Sequence, residues 1–189
     1  MGTLKIIETG IEGLFVIEPK VFSDARGHFF ESYNKEKFFA LGIRYEFVQD
    51  NQSLSNAGVV RGLHFQRPPH AQGKLVRVVK GAVLDVAVDI RKGSPTYGKF
   101  FAHELTEENF NLMWIPPGFA HGFKTLRDNT LFQYKCTDTY HPETEGAIRW
   151  NDPDIGIDWG IENPILSAKD QTAPFFKDFD SPFIYGENC

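Results

Sequence analysis

The run Arg61-Gly62-Leu63-His64-Phe65-Gln66, with Lys74 a short way downstream, sets an imidazole among apolar neighbours between two cations. A free imidazole changes charge near about pH 6.5, so it accepts a proton readily at neutral pH. Positive charge close by favours an anion formed as that proton leaves. The combination suits removal of a proton next to a group that becomes an anion. A second histidine lies in Pro116-Pro117-Gly118-Phe119-Ala120-His121-Gly122-Phe123. Two such segments, each on a strand or strand edge, can meet inside one barrel.

The elements that must carry these residues read mainly as strands. Residues 74–79 alternate, with Leu75, Arg77 and Val79 opposite Lys74, Val76 and Val78, and Lys80-Gly81 turns the chain. Leu84, Val86, Val88 and Ile90 then share one face, with Asp85, Ala87 and Asp89 on the other, and the plain reading of Asp85 and Asp89 is that they face water. Lys92-Gly93-Ser94-Pro95 marks a turn, and residues 100–105, 112–115 and 130–136 form further short strands. Residues 34–41 read as a short helix capped by Asn34, with Phe38, Phe39 and Leu41 on its apolar side and Gly42 as its stop. Short strands between turn signals predict a sandwich or closed barrel. From about residue 147 the chain turns Pro- and Asp-rich, as in Trp150-Asn151-Asp152-Pro153-Asp154, and is expected to wrap irregularly over a single domain spanning 1–189.

Composition narrows the function. The 189 residues suffice for one substantial core, and 18 Phe with 17 Gly and 11 Pro lean towards β structure. A net charge of −5 argues against nucleic acid or an anionic membrane surface as the main partner. It leaves room for one anionic small molecule in a locally basic pocket lined by Arg26, Arg61 and Lys74. Cys136 and Cys189 form neither a disulfide framework nor a zinc-like cluster. The opening residues Met1-Gly2-Thr3-Leu4-Lys5 lack an apolar signal core, and no run reaches transmembrane length, so residence in the cytoplasm is expected.

Several segments together resemble the dTDP-4-dehydrorhamnose 3,5-epimerase family. They are Arg61 to Gln66, Gln72-Gly73-Lys74-Leu75-Val76-Arg77-Val78, Pro117 to Phe123, Phe47-Val48-Gln49-Asp50-Asn51, Trp150-Asn151-Asp152-Pro153 and Leu166-Ser167-Ala168-Lys169-Asp170. Many multi-residue segments in register, from about Phe22 to Asp170, are more specific than one short motif. The resemblance implies an all-β, cupin-type jelly-roll barrel with short peripheral helices, usually a homodimer. It implies inversion of C3 and C5 of a dTDP-linked 4-keto-6-deoxyhexose, with no metal and no organic cofactor. By the same resemblance His64 is the base, Asp170 its partner, Lys74 a donor to the oxyanion and Tyr134 the acid on the opposite face. Arg26, Glu31, Gln49, Asn51, Arg61, His121, Tyr140, Glu145 and Lys169 fall where the family holds nucleotide and sugar. Tyr140 would stack on thymine, Asp85 would partner His121, and the segment around Phe22 and Arg26 would reach a neighbouring subunit.

Without that resemblance plainer readings stand. Tyr134 reads as core, Lys169-Asp170 as a solvated pair, and Arg26 with Glu31 as a surface ion pair worth about 0–1 kcal/mol. His121 reads equally as part of a turn leading into a strand. Phe29 and Phe30 read as core in part, and His28, His70, His103 and His141, for which the sequence names no partner, as surface residues. A metal-dependent cupin enzyme is the alternative activity, yet Phe65 and Gln66 follow His64 where a second close histidine would stand, and only His121 fits a later ligand position. An epimerase acting at C3 or C5 alone is a second alternative, and a non-catalytic sugar-binding barrel a third.

Overall fold

The structure is a computed structural model that describes residues 2–187; Met1 and Cys189 lie outside that range. In chain order its elements are β1 (Leu4–Glu8), β2 (Phe15–Pro19), β3 (Phe22–Asp24), β4 (Gly27–Phe29), α1 (Lys35–Ala40), β5 (Gln49–Ser55) and β6 (Val60–Gln66). They continue with β7 (Lys74–Lys80), β8 (Ala82–Asp89), β9 (Phe100–Thr106), β10 (Leu112–Ile115), β11 (Phe119–Thr125), β12 (Thr130–Cys136), β13 (Glu145–Ala147) and α2 (Ala168–Thr172). One sheet has the order β1-β2-β10-β7-β12-β5 and the second β13-β6-β11-β8-β9, while β3 and β4 pair only with each other. The result is a jelly roll of two open antiparallel sheets with short helices at its edges, rather than a closed barrel. No helix among the described residues is long and apolar enough to cross a membrane.

Three apolar layers explain the strand patterns. Val76, Val78, Met113 and Phe132 of the first sheet meet Val83, Ala87, Leu105 and Phe123 of the second between the sheets. Leu75, Leu112 and Trp114 point outward beneath Phe38 and Ile43, which come from α1 and the residues after it. The α1 helix begins as its sequence suggests: the Asn34 side chain accepts from the Lys37 N–H, and Gly42 follows with φ near +91°. Leu63, Phe65, Val86 and Val88 face the other way, under Ile148, Ile155, Trp159 and Phe183 of the C-terminal segment. Removing such surface from water is the main stabilising contribution, roughly 25 cal/mol per Å² of apolar area.

This layering reverses one expectation. Asp85 and Asp89 are completely buried, because the face opposite Val86 and Val88 looks between the sheets and not into water. The cost of burying Asp89 is offset by Arg91, which donates from Nε at 2.9 Å and Nη2 at 2.8 Å, and by the hydroxyls of Ser94 and Thr96 at 2.6 and 2.7 Å.

Strands β6 and β11 bring His64 and His121 into register, and their backbones approach closely at Gly62 and Gly122. Gly62, with φ near +123°, makes this possible: a Cβ there would lie 2.5 Å from Gly122 Cα and 2.8 Å from the His121 carbonyl oxygen. Neither neighbour is a flexible side chain that can swing away. Gly62→Ala should therefore destabilise the fold by at least about 2 kcal/mol, combining backbone strain with overpacking. Urea denaturation checks this, and parental stability would mean that the two strands separate without cost.

Candidate active site

A cavity of about 540 Å³ opens between the sheets. Strand β6 brings His64 and Arg61 to it, β11 brings His121, β7 Lys74 and β12 Tyr134, while Asp170 comes from α2. A smaller adjoining cavity of about 230 Å³ shares His64, Lys74 and Tyr134 and adds Gln49, Tyr140 and Glu145.

His64 Nε2 lies 2.5 Å from Asp170 Oδ1. The carboxylate is itself fixed, because the Ser167 hydroxyl donates to Oδ2 at 2.8 Å and the Asp170 N–H donates back to the Ser167 oxygen at 3.1 Å. Ser167 is the N-cap of α2, so the helix start orients the acid. Burial works to raise the Asp170 pKa, but the hydrogen bond and charge of His64 and the Ser167 hydroxyl outweigh it and hold it below the usual value. Asp170 is therefore charged at neutral pH and loses that charge only as the pH falls through its lowered pKa. With the Nε2 proton donated to Asp170, Nδ1 is left as the basic nitrogen of neutral His64.

Tyr134 faces this pair from the other sheet. Burial pushes its phenol up to about 12, Cys136 and Glu145 adding to the rise and Arg61 opposing it. The hydroxyl is thus held protonated. The Lys74 ammonium sits 6.0 Å from the Tyr134 ring centroid, and burial lowers its pKa against the opposing influence of Cys136, Asp85 and Glu145. Behind them His121 Nε2 lies 3.0 Å from each Asp85 oxygen. Burial lowers the pKa of His121 and raises that of Asp85.

Towards the smaller cavity, the Tyr140 hydroxyl donates to Glu145 at 2.8 Å, and Lys169 pairs with the same carboxylate. Gln49 accepts from the Tyr140 N–H at 2.8 Å and donates to Asn51 at 3.2 Å. Arg61 is exposed and donates to Ser55 at 3.2 Å. The chemistry available is proton transfer from two facing walls, with an ammonium able to meet negative charge between them.

A sequence model of the dTDP-4-dehydrorhamnose 3,5-epimerase family matches residues 8–178. The chain belongs to this family. The dTDP-4-dehydrorhamnose 3,5-epimerase of Salmonella typhimurium is 55% identical over 171 residues, covering 89% of this chain and 93% of its own. The family member from Methanothermobacter thermautotrophicus is 50% identical over 174 residues, covering 90% and 94%. Among solved structures, the 3,5-epimerase of Legionella pneumophila in complex with dTDP-4-keto-L-rhamnose superposes with a TM-score of 0.90 at 49% identity, covering 94% of this chain and 95% of that one.

Of the residues singled out on the epimerase resemblance, Arg26, Glu31 and Lys169 do not line either cavity of their own chain, though Lys169 pairs with Glu145 at the edge of the smaller one. Nor do Arg26 and Glu31 pair with each other: Arg26 binds Asp24 at 2.5 Å, and Glu31 binds Lys37 at 2.6 Å. Arg26 sits in the turn between β3 and β4 and Glu31 just beyond β4, and a resemblance in sequence does not show where that hairpin projects. Phe29, expected to be partly core, is 71% exposed on that hairpin. Asp170 is not a solvated residue but is buried, and it was Ser167-Ala168-Lys169-Asp170, a capping spacing, that carried the signal for Ser167 as its support.

The remaining histidines have partners that the sequence does not name. His70 Nδ1 meets Asp138 at 3.1 Å, His141 Nδ1 meets Glu143 at 3.1 Å, and the two rings stack 3.5 Å apart. His103 meets Asn111 at 3.1 Å, and His28 sets its ring edge-on to Phe110. Asp138 and Phe110 lie far away in sequence, Glu143 sits in a short 3-10 helix and Asn111 just before β10, none of them positions that strand periodicity reaches. His70, His141 and Glu143 also bring possible ligand atoms within 4.8 Å of one another. Their nearly parallel rings, 8° apart, aim their nitrogen lone pairs side by side rather than at one point.

Proposed function

We propose that the protein is an isomerase that inverts C3 and C5 of dTDP-4-keto-6-deoxy-D-glucose to give dTDP-4-keto-L-rhamnose. The observation that carries this reading is the pairing, across one cavity, of His64 held by Asp170 with a protonated Tyr134 from the facing sheet. C3 and C5 both adjoin the C4 ketone, so loss of either proton gives an enolate whose charge rests on the ketone oxygen. His64 takes the proton from one face, and the imidazolium is stabilised by Asp170. Tyr134 returns a proton to carbon from the opposite face, which inverts the centre, and solvent restores both groups. Lys74 donates to the enolate oxygen. The substrate's own ketone delocalises the charge, so the scheme uses neither a metal nor an organic cofactor.

Nucleotide binding falls to the outer residues. Arg61 suits the diphosphate because its planar fork makes paired bonds. Tyr140 offers a ring for thymine, with Gln49, Asn51, Glu145 and Lys169 around it, and His121 lines the sugar end. The protein works as a homodimer in the cytoplasm, folded as a single domain. The exposed β3–β4 hairpin with Phe22, Arg26 and Phe29 supports a role in the partner's site, since it leaves Arg26 free of its own chain's cavities. The activity is tested by proton NMR of the sugar formed from dTDP-4-keto-6-deoxy-D-glucose: both centres invert, whereas a product inverted at one centre would refute the double epimerisation.

Lys74→Ala should lower kcat by about 10²–10³-fold, as loss of an oxyanion donor does, with a smaller change in KM. Steady-state kinetics decide it. An unchanged kcat with a raised KM would make Lys74 a ground-state binder instead.

A further inference from the structure

We infer that Gln66 is a positioning residue for Tyr140 and, through it, for the nucleotide base; this rests on the assignment of Tyr140 as the base-stacking residue. Gln66 is 3% exposed, a buried carboxamide two residues beyond His64 on β6. Its Nε2 donates to the His70 carbonyl at 2.7 Å and the Thr139 carbonyl at 3.1 Å, and its Oε1 accepts from the His141 N–H at 2.8 Å. Thr139 and His141 are the two neighbours of Tyr140. The Tyr140 N–H is held in turn by Gln49, and the Asp138 carbonyl by Gln72 Nε2 at 2.7 Å.

The backbone on both sides of Tyr140 is therefore tied down while the side chain stays 55% exposed. The stacked His70 and His141 rings brace the same loop from outside. An aromatic ring left bare on a fixed backbone is built to receive a flat ligand without first having to order the loop. The chemistry of the clamp is specific. Two carbonyls and one N–H converge on one point, and a carboxamide supplies both kinds of partner. Glutamate would set oxygen against two carbonyls, and methionine would leave all three groups unpaired.

The test uses the full chain, with dTDP and inorganic pyrophosphate as probes in calorimetry. Gln66→Met should weaken dTDP binding by at least about tenfold and raise KM in step, with kcat within about twofold and pyrophosphate affinity unchanged. Combined with Tyr140→Ala it should add nothing to the loss caused by Tyr140→Ala alone. Parental dTDP affinity in Gln66→Met, or an equal loss for pyrophosphate, overturns the proposal. Tyr140→Ala with parental dTDP affinity would instead refute the stacking assignment itself, so the two failures are distinguishable. Amide exchange in the parent protein gives a second arm that needs no variant. The His141 N–H should exchange slowly before any nucleotide is added, and fast exchange there removes the clamp.

Discussion

His64→Asn should abolish solvent-proton exchange at both C3 and C5, lowering it by at least about 10²–10⁴-fold, the contribution expected of a placed general base. Both carbons should fail together, because both flank the same ketone and in the proposed mechanism one imidazole serves them in turn. Asparagine keeps a polar side chain of similar reach but cannot take up a proton. The fold should survive. The β6 ladder to β11 and β13 is made by the backbone, and Leu63 and Phe65, which anchor the strand, are untouched. Asp170 keeps its Ser167 hydroxyl and its place on α2. Exchange is read by NMR in deuterated buffer and folding by circular dichroism. Parental exchange rates in a folded variant would remove His64 from the mechanism.

Tyr134→Phe separates exchange from inversion. Phenylalanine preserves the ring beside Phe132 and beneath Lys74, so packing changes little. What disappears is the phenolic proton facing His64 across the cavity. With the phenol pushed up to about 12, Tyr134 holds this proton at neutral pH until an enolate carbon needs it. In the variant His64 still removes protons and, after exchange with solvent, returns them to the face they left. Exchange should persist near the parental rate, while net inversion falls by about 10²-fold or more. A variant that inverts both centres at the parental rate would show that another group delivers the proton.

How much of this was legible in the sequence depends on which contacts are local. The Asn34 cap and the strands expected over 74–79, 112–115 and 130–136 follow from period, propensity and turn chemistry, the first of them running one residue further, to Lys80, before the chain turns at Gly81. His64 stood out by its neighbours alone. Its partner did not, because Asp170 lies 106 residues away and nothing in Lys169-Asp170 distinguishes an acid on the buried side of α2 from a solvated one. The resemblance rightly pairs Asp85 with His121, but the plain reading of Asp85 and Asp89 as facing water fails for a related reason. Alternation tells which residues share a face, but with both faces of the second sheet covered it does not tell which face is wet. Gln66 gave no signal at all, since its three partners belong to two loops that meet only in the folded chain.

The central claim is that one ketone acidifies both of its neighbouring carbons for two proton-transfer groups on facing walls. NMR of the product formed by the parent protein from dTDP-4-keto-6-deoxy-D-glucose in deuterated water tests it most directly. The expected product carries deuterium at both C3 and C5, each with inverted configuration. Inversion at either centre with its original hydrogen retained would contradict the account.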